Sequence, residues 1–167
     1  MTENKYVEMI CDLNEQPWDE IALPGDYKIG SLKEAQEDEL YRCYYAAFKA
    51  GDARFFFEQN EMGRREYFDM LCLDEARNEP GSSIIRKNGK IAGFTYVLPY
   101  GDGNRHISCM CVHPDDQRRG LGAFMLRHAI KEVAAQGSKS ITLGTDTRMA
   151  AFRLYCQYGF KIMEEQE

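Results

Sequence analysis

The chain has 167 residues, 44% hydrophobic and 29% charged, with a formal net charge of −6. That length suits one domain around one core, and the acidic balance argues against a general nucleic-acid binder, which carries a basic footprint. No stretch approaches the roughly 20 consecutive apolar residues of a membrane span, and Met1–Lys5 lacks the basic start and apolar run of a secretory signal, so the expected address is cytoplasmic.

In chain order, residues 6–13 place Val7, Met9, Cys11 and Leu13 on one face, the alternation of a strand. An irregular stretch with Pro17, Pro24 and Gly25 follows, then a short strand over 26–30. Ser31-Leu32-Lys33-Glu34 has capping-box spacing and predicts a helix from Leu32 to Ala50, ended by Gly51. Tyr41, Tyr44, Tyr45 and Phe48 form one aromatic stripe along it. A second helix is predicted over Gly63–Arg77, stopped by Pro80-Gly81.

The period then changes. Residues 82–87 and 90–98 flank Asn88-Gly89, a strong hairpin signal because both residues tolerate the positive φ of a type I′ turn. Gly101-Asp102-Gly103-Asn104 reverses the chain again into a strand over 106–112, giving three antiparallel strands in succession. A Gly-containing turn leads into a helix whose Leu126, Ala129, Ile130 and Val133 share a face, with Gly137 as its C-terminal cap. A strand over 140–143, a helix over 149–158 and a strand over 160–163 complete the chain.

Cys11, Cys43, Cys72, Cys109, Cys111 and Cys156 are scattered, with no Cys-x-x-Cys pair. They read as reduced structural thiols, with zinc binding as the alternative and no metal expected.

The turn Gln117-Arg118-Arg119-Gly120-Leu121-Gly122 carries the chemistry. Glycines at 120 and 122 let backbone approach a phosphate. The helix start presents unpaired N–H groups backed by about half a positive charge, and Arg118 and Arg119 add guanidinium donors. A diphosphate suits such a turn. A dinucleotide fingerprint needs a third glycine within a parallel β-α-β unit, and a kinase-type loop needs Gly-Lys-Ser/Thr; both are absent.

The segment 111–122, with Gln117-x-x-Gly120-x-Gly122 after a strand, resembles the acetyl-CoA motif of the GNAT superfamily of N-acetyltransferases. Downstream, Ala151-Phe152-Arg153-Leu154-Tyr155-Cys156-Gln157-Tyr158-Gly159-Phe160 is similar to the family's Ala-x-x-Leu-Tyr-x-x-x-Gly-Phe. The resemblance implies an α/β (α+β) fold: a mixed, mostly antiparallel sheet, splayed at the coenzyme-binding strand, with helices on both faces. Residues 1–25 would be an N-terminal extension bearing an extra strand, and 26–167 the acetyltransferase domain.

The resemblance further implies acetyl-CoA as cosubstrate. Its pantetheine arm would pair along Met110, Cys111 and Val112, and its pyrophosphate would lie on Gln117, Arg118, Arg119, Gly120, Leu121, Gly122 and Ala123, with Arg148, Ala151 and Tyr155 also in contact. Tyr155 matches the family's general acid toward the departing thiolate. His106 is the candidate base, at an offset where histone-type members carry a glutamate; Asp102, Asp146 or a water chain are alternatives. The acceptor, a primary amine of a small molecule or peptide, with protein lysine also open, would sit below the two helices after the first strand. There the aromatic stripe with Glu58 or Glu61 would either hold a cation or form core.

Two departures stand out. Arg148 replaces the Asn common at the start of the last helix, and the chain ends seven residues after Phe160, where the family continues into another strand. The strand at 6–13 is the candidate to fill that gap, in its own subunit or in a homodimer partner. A non-catalytic acyl-CoA-binding module is the alternative function.

Overall fold

The computed structural model describes residues 6–14, 21–51 and 54–163. Alternation along β1 (Tyr6–Asp12) buries Val7, Met9 and Cys11 and turns Tyr6, Glu8 and Asp12 outward. β2 (Tyr27–Gly30) follows. The predicted helix from Leu32 is corrected: Leu32–Glu34 is a single 3-10 turn, with Ser31 Oγ accepting from Lys33 N at 3.2 Å. Ala35 is extended, which lets Leu32 and Ala35 both enter the core. The α-helix α1 (Glu37–Ala50) starts beyond it, where Gln36 and Glu39 form the capping box.

A short helix that the sequence pattern did not predict, α2 (Arg54–Phe57), precedes α3 (Glu61–Leu71). The second predicted helix is therefore shifted. It begins where Asn60 Oδ1 caps Gly63 N at 2.8 Å, and Cys72 leaves helical geometry, so Asp74–Asn78 forms a separate 3-10 turn.

β3 (Ser83–Lys87) and β4 (Lys90–Tyr100) are joined by Asn88 and Gly89 with φ of 52° and 79°, as a type I′ turn demands. β5 (Asn104–Val112), α4 (Leu121–Ala135), β6 (Ser140–Asp146), α5 (Ala150–Gln157) and β7 (Phe160–Ile162) complete the elements. β6 runs three residues beyond the predicted 140–143.

The seven strands of the described residues form one open sheet in the order β2-β3-β4-β5-β6-β1-β7, antiparallel except for β5 beside β6. On one face α1 and α3 pack Leu40, Cys43, Tyr44 and Phe68 against Ile84, Phe94, Tyr96, Cys109 and Cys111. On the other, α4 and α5 pack Leu126, Ala129, Val133 and Tyr155 against Met9, Cys11, Ile107 and Leu143. β1 lies between β6 and β7 in its own chain, pairing Tyr6 to Asp12 with Asp146 to Ser140 on one side and Met9 to Cys11 with Ile162 to Phe160 on the other. The strand expected at 6–13 thus lies between β6 and β7 of its own chain.

The parallel pairing of β5 with β6 is brief: Arg105, His106 and Ile107 pair with Ile141, Thr142 and Leu143, and then the strands part. The cause is visible in β5. Tyr96 pairs with Cys109 but Val97 with Ile107, so Ser108 is an extra residue, a β-bulge. A bulge bends its strand and re-aims the side chains beyond it. Ile107 accordingly faces α4, whereas Cys109 and Cys111 face α1. Ser108 Oγ also donates to Leu71 O at 2.7 Å, tying the bulge to the end of α3.

Cys11, Cys43, Cys72, Cys109 and Cys111 are buried and Cys156 is exposed, all as free thiols. Among the described residues, no group of three or more His, Cys, Asp or Glu side chains is placed to hold a metal ion.

Candidate functional site

Beyond Ile107, β5 is paired to β4 alone, through Met110 to Thr95, Cys111 to Phe94 and Val112 to Gly93. Its other edge faces the splay, and the backbone groups along it have no strand partner, a template for an extended ligand to add as a strand. Gln117 Nε2 reaches the last carbonyl, Val112 O, at 3.3 Å. The side chains of Met110 and Val112 lie half-buried on the α4 face, and Cys111 is buried.

The chain then makes a built turn. His113 Nδ1 accepts from Asp115 N at 3.1 Å, and Pro114–Asp116 is one 3-10 turn. Tyr27, reaching over from β2, donates its hydroxyl to Asp116 Oδ1 at 2.7 Å and anchors the turn. Burial, with this bond, raises the Tyr27 pKa. Arg118 and Gly120 both take left-handed φ, 65° and 82°. Such a run of alternating conformations points successive backbone N–H groups into one concavity, which suits an anion.

The α4 ladder opens with Phe124 N donating to Gly120 O at 3.0 Å. The amides of Leu121, Gly122 and Ala123 therefore have no acceptor within the helix. Gln117, Arg118, Arg119 and Gly120 are exposed. Leu121 is buried beside Tyr27 and Met125 and fixes the helix start. Gly122 is half-buried, and a Cβ there would stand 3.3 Å from Leu154 Cδ2, so this glycine also lets α4 meet α5.

Tyr155 comes from α5 on the same side of the sheet, 7% exposed, with its ring 5.9 Å from that of Phe160. Burial raises its pKa, and the thiols of Cys109 and Cys111 add to the effect, so the phenol stays protonated at neutral pH. Among the described residues its hydroxyl has no hydrogen-bond partner. Ala151 is half-buried beside it in the same cluster.

His106 lies on the opposite, α1 and α3 face, at the point where the strands part. Its Nδ1 is 2.8 Å from Thr142 Oγ1, and Tyr100 packs on its ring at 5.3 Å. Burial lowers its pKa and the charge of Glu8 opposes the shift, so the imidazole is neutral at pH 7. When Nδ1 donates to Thr142, Nε2 holds the lone pair. Tyr155 and His106 thus lie on opposite faces of the sheet.

Other expected residues are engaged elsewhere. Arg148 folds back on Asp146, with Nη2 to Oδ2 at 2.9 Å and Nε to Oδ1 at 3.2 Å, which occupies the arginine fork and the alternative base together. Asp102 and Glu58 are exposed. Glu61 accepts from Tyr41 Oη at 2.8 Å and pairs with Arg64. The aromatic stripe is core: Tyr44 packs on Phe48 at 4.7 Å and on Phe68 at 5.2 Å, and Tyr45 on Phe56 at 5.0 Å. The chain's own Arg65 covers Tyr41 at 4.7 Å. Sequence reasoning missed Tyr27, whose bond to Asp116 joins residues 89 positions apart and leaves no local signal.

Residues 33–160 match the model of the acetyltransferase (GNAT) family. A curated relative, the cysteine-rich protein 2-binding protein of Mus musculus, is 30% identical over 107 residues, which is 63% of this chain and 13% of that much longer protein. An uncharacterized N-acetyltransferase of Methanocaldococcus jannaschii is 26% identical over 149 residues, 84% of this chain and 62% of the relative. Among solved structures, a GCN5-related N-acetyltransferase from Sphaerobacter thermophilus superposes with a TM-score of 0.73 at 17% identity, over 96% of this chain and 49% of that one. A GNAT family acetyltransferase from Brucella melitensis in complex with acetyl-CoA gives 0.60 at 16% identity, over 84% and 90%.

Proposed function

Because the chain belongs to the acetyltransferase (GNAT) family, whose general activity is acyl transfer, we propose that it moves an acetyl group from acetyl-CoA to a primary amine of a small molecule or peptide by direct attack in a ternary complex. The observation that carries this is the open edge of β5 beyond the Ser108 bulge, running straight into the turn at 117–123 with its free amides. One path of unpaired backbone suits both a pantetheine arm and a diphosphate. That a protein of the same fold from Brucella melitensis holds acetyl-CoA supports this choice of thioester.

The chemistry divides between the two faces. An alkyl ammonium has a pKa of about 10 and must lose a proton before it attacks; His106 Nε2 takes it. The amine nitrogen bonds to the thioester carbon, the C–S bond breaks, and its electron pair leaves on sulfur. Tyr155 protonates the thiolate and is reprotonated from water, and the new amide nitrogen sheds its second proton to solvent. Arg118 and Arg119 are exposed beside the turn to meet phosphate oxygens. Ala151 and the Gln117 side chain are assigned to the coenzyme's flank, and Arg148 joins them only by giving up its pair with Asp146.

Calorimetry with acetyl-CoA, followed by thiol release across an amine panel, tests the proposal. Heat and amine-dependent release are expected; absence of heat refutes it. A non-catalytic acyl-CoA-binding module would give heat without release.

Two further outcomes are expected. Gly120→Val places a branched side chain at a φ of 82° that costs about 1–3 kcal/mol of strain. Its Cβ meets nothing within 4 Å, so no packing is disturbed and the change falls on the turn itself. Acetyl-CoA affinity should fall about tenfold or more by calorimetry while the folded state persists; an unaltered Kd would remove the turn from the binding site. For His106→Ala, the acid limb of the pH–rate profile should change. Because burial lowers the His106 pKa, that limb in the wild type lies below the ordinary histidine value of about 6.5, and activity is lost as pH falls through it. A profile identical in the variant rules out His106 as the base.

A further inference from the structure

β1 does more than complete the sheet. Its outward residues pair opposite β6 on the α3 face, Tyr6 with Asp146, Glu8 with Gly144 and Ile10 with Thr142. Thr142 is the partner of His106, and Gly144 follows Leu143, the last β6 residue paired to β5. The outward face of β1 therefore lies one strand away from the opening at which β5 and β6 part, across β6.

Gly144 shows how close this approach is. A Cβ built there would overlap the Tyr6 hydroxyl, so the tyrosine lies flat across the sheet over a residue that has no side chain. Tyr6 is nonetheless 67% exposed. Tyr67 of α3 is near enough to act on it electrostatically, as is Glu8. Glu8 is exposed and forms no ion pair with any described residue, yet its charge reaches His106. Tyr100, 54% exposed, packs its ring on the imidazole. A carboxylate with no ion pair among the described residues thus shares the outward face of β1 with Tyr6, and its charge reaches the neutral histidine.

We propose that β1 supplies half of the acceptor site: the Glu8 carboxylate receives the ammonium of a primary amine, and Tyr6, held over Gly144, flanks the apolar group that bears it. This rests on the acyl-transfer reading above and narrows its acceptor to amines with an aromatic or branched aliphatic body. Ammonium against carboxylate gives a charge-assisted contact, and rings on either side favour both the apolar body and the cation's approach. The ammonium proton passes to His106, the freed nitrogen bonds to the thioester carbon and sheds its second proton to solvent, and the C–S bond breaks as the thiolate takes the Tyr155 proton. The Glu8 carboxylate offsets the charge that His106 gains.

The test is thiol release from acetyl-CoA with 2-phenylethylamine, tyramine and isoamylamine, set against glycine and spermidine, on the full chain. The wild type should prefer the first three. Glu8→Gln should raise their KM about tenfold or more with acetyl-CoA affinity unchanged. Tyr6→Ala should raise KM chiefly for the aromatic pair. Gly144→Ala should mimic Tyr6→Ala by pushing the ring aside, and add nothing in the Tyr6→Ala background. Both β1 side chains are exposed, so thermal melts of their variants should match the wild type. Turnover with KM values unmoved by either β1 substitution would overturn this inference and leave acyl transfer standing. Acetyl-CoA binding with no release for any amine would overturn both.

Discussion

Deletion of residues 1–13 is expected to abolish cooperative folding. β1 lies inside the sheet, and β7 joins the described sheet through β1 alone. Removing it exposes Ile141 and Leu143 on β6 and Phe160 on β7, which share a core with Val7, Met9 and Cys11. Burial of each large apolar side chain contributes about 1.5–3 kcal/mol, against a total stability of about 5–15 kcal/mol for an ordinary domain. The backbone loses its ladder with β6 and the bond from Met163 N to Glu8 O at 2.8 Å as well. Met9→Ala is the graded version: its side chain is 0% exposed, and the cavity should cost about 2–5 kcal/mol. Circular dichroism melts check both. A truncated chain that melts like the full one would show that β1 is dispensable.

Tyr155→Phe should reduce kcat by about 10²–10⁴, the usual contribution of a positioned general acid, with acetyl-CoA affinity little changed. The ring's packing against Phe160 survives the substitution, and the hydroxyl leaves no protein partner among the described residues, so stability should hold. Burial keeps the phenol protonated, which is the form that donates to sulfur. A thioester of a more acidic thiol needs less help in leaving, so the deficit should shrink with such a donor. Equal turnover in the variant would end the proposed role.

Features that depend on neighbours in the chain are legible in the sequence. Asn88-Gly89 specifies a turn because positive φ is tolerated there and little else is required. The Gly120 turn, the apolar face of α4 and the alternation of β1 follow from single-residue conformational preference and from period. The capping box at Ser31 misleads for a physical reason. Ser31 makes its local bond, but core burial of Leu32 and Ala35 pulls the backbone extended before a helix can propagate. Gln36 and Glu39 carry the same chemistry one turn later. The stripe from Tyr41 to Phe48 has helical spacing whether it binds a cation or fills the core, and only its packing on Phe56 and Phe68 makes it core.

The sequence by itself determined the family, the order of most elements and the glycine turn that opens α4, because each depends on residues adjacent in the chain. Tertiary structure alone decided three things: the Ser108 bulge that parts β5 from β6, the insertion of β1 between β6 and β7, and the placing of Tyr6 over Gly144, with Glu8 opposite that glycine. Strand pairing is set by which apolar faces can be buried together across the whole fold. Such a choice joins residues more than a hundred positions apart, and no local pattern records it.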